Sequence, residues 1–141
     1  MPLVRFQVGA QMLKKATHKD LEAIKSLIDW GAGVGRVLPR PLDEIRLIVD
    51  SFYVWVEEEE IVGCCSLEVY SKKLAEIRSL VVKDSHQNKG IGRKLVQACM
   101  EEAKAKNIYE VLTITDRDSF FGKLGFSTCL NGQYAMFLRP E

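Results

Sequence analysis

The hydrophobic positions of this chain follow two spacings, and each predicts a different kind of element. Apolar residues about 3.6 positions apart are typical of a helix with one buried face. Helical segments are predicted over 21–28, 42–49, 91–103 and 119–124. Runs rich in β-branched and aromatic residues are typical of strands, and they cover 12–16, 52–56, 61–70, 75–82, 110–115 and 134–138. The order β, α, α, β, β, β, α, β, α, β predicts a mixed sheet with helices on its faces.

Polar and glycine-rich segments indicate where these elements begin and end. Thr17, with Asp20 three positions later, is a variant of the capping box that starts a helix. The glycine-rich stretch 31–35 ends that helix, and Pro41 suits the first turn of the next one. The four glutamates at 57–60 favour a solvated hairpin turn between two strands.

Composition limits the class of protein. A length of 141 residues fits one domain over 1–141, and a formal charge of +1 offers no field that would attract nucleic acid or an anionic membrane. No run approaches the roughly 20 apolar residues of a membrane span, and residues 1–11 lack the features of a signal peptide, so we expect a cytoplasmic location. The cysteines at 64, 65, 99 and 129 form no Cys-x-x-Cys pair, and the two histidines are isolated. We therefore expect buried thiols and no metal site.

The clearest chemical signal lies between the predicted strand 75–82 and the helix that begins at Ile91. The connection carries Gln87, Gly90 and, at the helix start, Gly92. Glycines let a ligand approach the backbone closely, and the open amides and dipole of a helix amino terminus favour an anion. The Walker loop and the three-glycine dinucleotide fingerprint both fail to fit these residues. The segment therefore predicts a ligand that carries a pyrophosphate.

The spacing of Gln87, Gly90 and Gly92 resembles the pyrophosphate loop of the GNAT superfamily of acetyl-CoA-dependent N-acetyltransferases. Glu76, 14 residues before Gly90, stands at the register of a glutamate in the histone acetyltransferase branch. The resemblance implies a GNAT fold of the α/β (α+β) class: a mixed, mostly antiparallel central sheet of about six to seven strands, flanked by about four helices. It also implies acetyl-CoA as co-substrate and a small-molecule amine as acceptor. GNAT folds often dimerise, so a homodimer is an open expectation.

The same resemblance assigns residues to the acetyl donor. Backbone of the strand before the loop would hydrogen-bond the pantetheine arm, and the loop would bind the pyrophosphate. Lys89 and Arg93 would add charge-assisted contacts, with a plain surface role open for each. The expected acetyl-CoA contacts are Leu80, Val81, Val82, Gln87, Asn88, Lys89, Gly90, Ile91, Gly92, Arg93 and Phe121.

Acetyl transfer also needs a base, because an ammonium group must lose a proton before it attacks. By resemblance Glu76 is the expected base, with Glu68 on the neighbouring strand as its substitute. A surface salt bridge at a strand end is the alternative for Glu76. Many GNAT enzymes protonate the leaving thiolate with a tyrosine, and Phe121 stands in its place here. Thr115 is the expected acid. The alternatives are Ser119, Tyr134 and solvent, since a thiol with a pKa of about 8.5 leaves with little help.

Three separated blocks, over 38–46, 63–70 and 74–80, resemble the acetyltransferase domain of bacterial N-acetylglutamate synthases, especially short single-domain forms. The resemblance implies transfer to the α-amine of glutamate or a similar amino acid, as in arginine biosynthesis. An arginine fork fits a substrate carboxylate. The expected acceptor contacts are Arg40, Glu68, Arg78 and Ser79. Helix capping by Arg40 and solvent exposure of Arg78 are the alternatives.

Two other functions stay open. One is a GNAT enzyme that acts on a different small amine or on a protein amine. The other is a non-catalytic acetyl-CoA-binding regulatory module, which the missing tyrosine leaves open. Two-domain synthases also carry an amino-acid-kinase-like domain that binds arginine, for which 141 residues leave no room, so arginine inhibition by that route is not expected.

Overall fold

A computed structural model of the chain describes residues 10–140. Helices and strands follow one another in nearly the predicted order. The helices are α1 Leu21–Gly33, α2 Leu42–Leu47, α3 Ile91–Ala105 and α4 Asp118–Gly122. The strands are β1 Gln11–Lys15, β2 Phe52–Glu57, β3 Glu60–Val69, β4 Leu74–Val82, β5 Glu110–Thr113, β6 Cys129–Leu130 and β7 Gln133–Tyr134. The Thr17–Asp20 capping box is present at the 3₁₀ turn that leads into α1.

Strands β1 to β5 form one sheet in the order of the sequence. The pairs from β1 to β4 are antiparallel, and β4 pairs with β5 in parallel, from Leu74 opposite Glu110 to Ile77 opposite Thr113. The predicted mixed, mostly antiparallel sheet is confirmed. Its core has five strands rather than six or seven, because β6 and β7 form a separate small sheet.

The predicted last strand over 134–138 is wrong in extent. Asn131 and Gly132 both have positive φ, at 52° and 76°, which gives a tight two-residue hairpin turn between Leu130 and Gln133. The strand that follows therefore pairs with β6 and ends at Tyr134. Residues 135–138 have strand propensity but form no ladder with another strand in the described part of the chain. Met136, Phe137 and Leu138 are exposed.

Two apolar layers hold helices against opposite faces of the sheet. Helix α3 packs Leu95, Val96 and Cys99 on one face, while Ile24 and Ile28 of α1 pack on the other with α2. Each such fully buried aliphatic side chain contributes about 1.5–3 kcal/mol. Cys64, Cys65 and Cys99 are buried as predicted, so they act as small core residues.

An irregularity in β4 separates it from β5. Cys64 pairs with Val81 and Ser66 pairs with Arg78, so β4 holds one more residue than β3 across this step. Ser79 lies in this bulge with φ of 55°, in the left-handed region. Pairing between β4 and β5 ends at Ile77 and Thr113, and a cleft opens beyond that point.

Candidate active site

The cleft between the diverging strands has a volume of about 790 Å³. Most of its wall comes from three segments: 76–80 of β4, 113–117 from the last residue of β5 onward, and 35–39 of the loop between α1 and α2, with Ala32 and Phe121 completing it. A second cavity of about 150 Å³ adjoins it at the start of α3. Both cavities include Arg36, Leu80 and Arg117 in their walls, so an extended ligand can occupy them together.

The loop before α3 has the geometry of an anion site. Gly90 adopts φ of 83°, which a glycine reaches without steric cost, and Asn88 also lies in the left-handed region. The amide of Lys94 donates to Gly90 O at 3.1 Å, so the amides of the three preceding helical residues have no carbonyl of their own helix to bond. They and the dipole of a 15-residue helix favour a phosphate at this end.

The predicted donor residues fall into three groups. Most line the smaller cavity, namely Leu80, Val81, Val82, Gln87, Asn88, Gly90, Ile91, Gly92 and Arg93. Phe121 lines the larger one. Lys89 is in neither set. The Gln87 side chain donates to Val82 O at 2.9 Å, so it ties the loop to the end of β4 instead of reaching outward.

Two arginines at this end were missed by the sequence analysis. Arg36 comes from the loop after α1, and Arg117 precedes α4, with its guanidinium carbon 5.2 Å from the centre of the Phe120 ring. Both add positive charge beside the open amides of α3. Arg117 lies between two aspartates in sequence, and its local pattern carries no signal for this position.

Glu76 lies in the wall of the larger cavity, as a base for an incoming amine must. It stands opposite Glu68 in the β3–β4 pair and next to Leu112 of β5. The hydroxyl of Tyr70 donates to Glu76 Oε1 at 2.5 Å. The carboxylate is thus near the cleft and held by a neutral donor.

Glu68 has a different environment. Burial alone would raise its pKa, but hydrogen bonds from Arg40 and Ser66 hold the pKa below its ordinary value. The side chain of Glu68 is 11% exposed, and Arg40 Nη1 and Nη2 donate to its two oxygens at 2.8 and 3.2 Å. A carboxylate so firmly paired with a cation is a poor proton acceptor, which weakens Glu68 as the substitute base.

Arg40 is almost completely buried, at 3% exposed, between α2 and the sheet. It bonds Glu68, Glu44 Oε2 at 2.5 Å and Ser79 Oγ at 3.0 Å. Four of its five N–H donors are therefore bonded within the chain. Arg40 lies outside the walls of both cavities, whereas Arg78 and Ser79 lie in the larger one. Arg78 Nη1 is 3.6 Å from Glu68 Oε1.

The candidate acids differ in position. Strand β5 ends at Thr113 and not at the predicted residue 115, because the paired region with β4 stops there. Thr115 follows in the cavity wall, and its Oγ1 accepts a hydrogen bond from the Arg117 amide at 2.9 Å. Phe121 is 5% exposed and packs edge to face with Phe120 and Phe126, so this position offers no hydroxyl. Ser119 and Tyr134 lie outside both cavity walls.

Two further structural findings apply to residues 10–140. No group of three or more histidine, cysteine or acidic side chains in this range is arranged to hold a metal ion. No helix in the same range is long and apolar enough to cross a membrane.

Comparison with known proteins gives concordant matches. A family model described as "Acetyltransferase (GNAT) family" matches residues 28–126. An uncharacterized N-acetyltransferase of Chlorobaculum tepidum is 34% identical over 114 residues, which cover 81% of this chain and 74% of that protein. The amino-acid acetyltransferase of Mycobacterium tuberculosis is 31% identical over 121 residues, with 82% and 68% covered. Of the Escherichia coli amino-acid acetyltransferase, at 21% identity, the chain spans only 27%.

Solved structures of acetyltransferases and related proteins superpose on this chain. A Mycobacterium tuberculosis protein in complex with CoA and NLQ superposes with a TM-score of 0.79 at 29% identity, covering 84% of this chain and 73% of that one. The N-acetylglutamate synthase of Neisseria gonorrhoeae, complexed with coenzyme A and N-acetyl-glutamate, also gives 0.79, at 21% identity over 88% of this chain and 30% of its own. The second match supports the fold.

Proposed function

Since this chain belongs to the GNAT family of acetyl-CoA-dependent N-acetyltransferases, we propose that its acceptor is the α-amine of glutamate or a similar amino acid. The observation that carries the proposal is the cleft between β4 and β5, which joins an anion site at α3 to a wall that holds both Glu76 and Arg78. Relatives named amino-acid acetyltransferase support the same class of acceptor.

The donor would lie along the two adjoining cavities. Its pyrophosphate fits the open amides at the start of α3, with Arg36, Arg93 and Arg117 in the cavity wall to balance charge. The backbone of β4 beyond Ile77 has lost its β5 partner, so it can hydrogen-bond the amide groups of the pantetheine arm. The acetyl group would then reach the larger cavity, near Glu76.

Glu76 would take the proton from the substrate ammonium, directly or through one water, before the amine attacks the acetyl carbon. The electron pair of the cleaved thioester bond leaves with the sulfur of CoA. Thr115 in the cavity wall, or solvent, would supply the proton that this thiolate takes up. Replacing Glu76 with glutamine should lower kcat by about 10²- to 10⁴-fold with little change in affinity for acetyl-CoA.

Arg78 is the arginine we propose to bind a substrate carboxylate, because it lies in the cavity wall and its Nη1 makes only a 3.6 Å contact with Glu68. Arg40 would act on the substrate indirectly. It fixes Glu68 and Ser79, which flank Arg78 on the sheet. We therefore propose that Arg78 contacts the substrate and that Arg40 positions the residues around it, in place of the direct contact expected for Arg40.

The test is steady-state kinetics of Arg78→Ala and Arg78→Lys. If Arg78 binds glutamate, Arg78→Ala should raise KM for glutamate by about ten- to a hundredfold and leave KM for acetyl-CoA unchanged. Arg78→Lys should recover part of the loss, since it keeps the charge without the planar fork. Arg46→Ala is the matched control, since Arg46 pairs with Asp43 on exposed α2 surface. An unchanged KM for glutamate in Arg78→Ala would contradict this role.

A further inference from the structure

Two carboxylates stand opposite each other on one face of the β3–β4 pair, and their environments differ. Glu68 accepts hydrogen bonds from Arg40 and Ser66 and has Arg78 nearby, so both of its oxygens face cations or a hydroxyl. Within residues 10–140, the side chain that donates a hydrogen bond to Glu76 is Tyr70, which bonds Oε1. Adjacent carboxylates repel each other, but here arginine neutralises the charge of Glu68. Glu76 is held by a hydroxyl, which carries no positive charge.

The turn between β3 and β4 fixes Tyr70 beside Glu76. The amides of Tyr70 and Ser71 both donate to Leu74 O, at 3.0 and 3.2 Å, which closes the turn. In the adjoining ladder Val69 pairs with Ala75 and Glu68 pairs with Glu76. Tyr70 is therefore the diagonal neighbour of Glu76, at a separation that a tyrosine side chain can span.

We propose that Tyr70 is a positioning residue for Glu76: its hydroxyl holds Oε1 and leaves Oε2 to accept the proton of the substrate amine. This inference rests on the proposed function, in which Glu76 is the base. A neutral donor restricts the rotation of the carboxylate without the charge that makes Glu68 a poor base. Nothing in the sequence pattern around Tyr70 points to this role, since it depends on the register of two strands.

The ionisation of Tyr70 is consistent with a permanent donor. Tyr70 is 55% exposed, and the partial burial of its hydroxyl together with the hydrogen bond to Glu76 raises the pKa of Tyr70 to about 12. The phenol therefore keeps its proton throughout the pH range in which an acetyltransferase is assayed. The hydrogen bond to Glu76 is therefore present at neutral pH, because Tyr70 keeps the proton that it donates.

The experiment compares Tyr70→Phe with Tyr109→Phe, a matched removal of one hydroxyl from an exposed tyrosine outside both cavity walls. Tyr70→Phe should lower kcat by about three- to tenfold, the effect of one ordinary hydrogen bond, with both KM values and Tm unchanged. Tyr109→Phe should match the wild type. In a Glu76→Gln background, Tyr70→Phe should have no further effect on kcat, because the group that it positions no longer accepts a proton.

The outcomes separate the inference from the proposed function. If Glu76→Gln slows turnover but Tyr70→Phe does not, the role of Tyr70 is wrong and the base stands. If Tyr70→Phe lowers kcat by the same factor in the wild-type and Glu76→Gln backgrounds, Tyr70 acts by another route and the inference is again wrong. A Glu76→Gln enzyme with wild-type kcat would overturn both the base and the role of Tyr70.

Discussion

The two ends of the cleft are built in different ways. The proposed donor end, residues 87–93, presents backbone amides that the local sequence arranges through the left-handed turn at Gly90 and the start of α3. The proposed acceptor end combines Glu76 and Arg78 of the cavity wall with Arg40 and Glu68, which lie outside it, and it depends on side chains from β3, β4 and the segment before α2 that the tertiary fold brings together. Mutations should therefore act on the donor end through backbone conformation and on the acceptor end through charge pairing.

The largest effect on stability is expected at the acceptor end, from Arg40→Ala. Removal of the guanidinium leaves the buried Glu68 with only the 3.6 Å contact to Arg78, and breaking such a buried pair costs about 3–5 kcal/mol. Arg46→Ala, which removes a surface ion pair with Asp43, should cost at most about 1 kcal/mol. Urea denaturation of the two variants measures the difference. Equal stability of the two variants would mean that the buried cluster does not hold the acceptor end together.

The second-largest effect is expected at the donor end, where Gly90→Ala should weaken CoA binding. An L-residue at φ of 83° is strained by about 1–2 kcal/mol, although an added Cβ would meet no atom within 4 Å. We expect the loop to change conformation and the Kd for CoA to rise about tenfold. Gly33→Ala is the matched control, because its Cβ also meets open space and its φ is ordinary. Calorimetric titration with CoA checks both, and an unchanged Kd in Gly90→Ala would contradict a backbone-built donor end.

The smallest effect is a pH dependence at the acceptor end. The pKa of folded Glu68 lies below its ordinary value, so its pairing stabilises the fold above the unfolded pKa of about 4.3. That stabilisation is lost as pH falls through the folded pKa. The difference in unfolding free energy between the wild type and Glu68→Gln should therefore shrink on acidification from pH about 6 towards pH about 3. A difference that stays constant over this range would exclude the pairing as its source.

The same contrast explains how much the sequence could predict. The loop with Gln87, Gly90 and Gly92 was recognisable because its conformation follows from neighbouring residues. The capping box at Thr17 and the hairpin turn at 57–60 were predictable for the same reason. In the C-terminal region, strand propensity over 134–138 predicts too long a strand, because the Asn131–Gly132 turn sets a hairpin that ends at Tyr134.

The arrangement of the acceptor end could not be predicted from neighbouring residues. Arg40 carries charge and a planar fork in the sequence, but its burial and its bonds to Glu68 and Ser79 depend on partners 28 and 39 positions away. The contribution of Arg117 to the cavity wall and the pairing of Tyr70 with Glu76 likewise depend on how strands and loops come together. Chemistry that rests on such contacts needs the tertiary structure.

The most direct test of the proposed acceptor is the turnover of wild-type protein with acetyl-CoA and each of four amino acids: glutamate, glutamine, arginine and lysine. Release of free CoA thiol reports the rate, and mass spectrometry of the product locates the acetyl group. We expect acetylation of the α-amine with kcat/KM highest for glutamate, lower for glutamine and lowest for the two basic amino acids, because Arg78 favours a carboxylate and repels a cation. Equal use of all four, or no thiol release above the rate without an amino acid, would contradict the proposed acceptor.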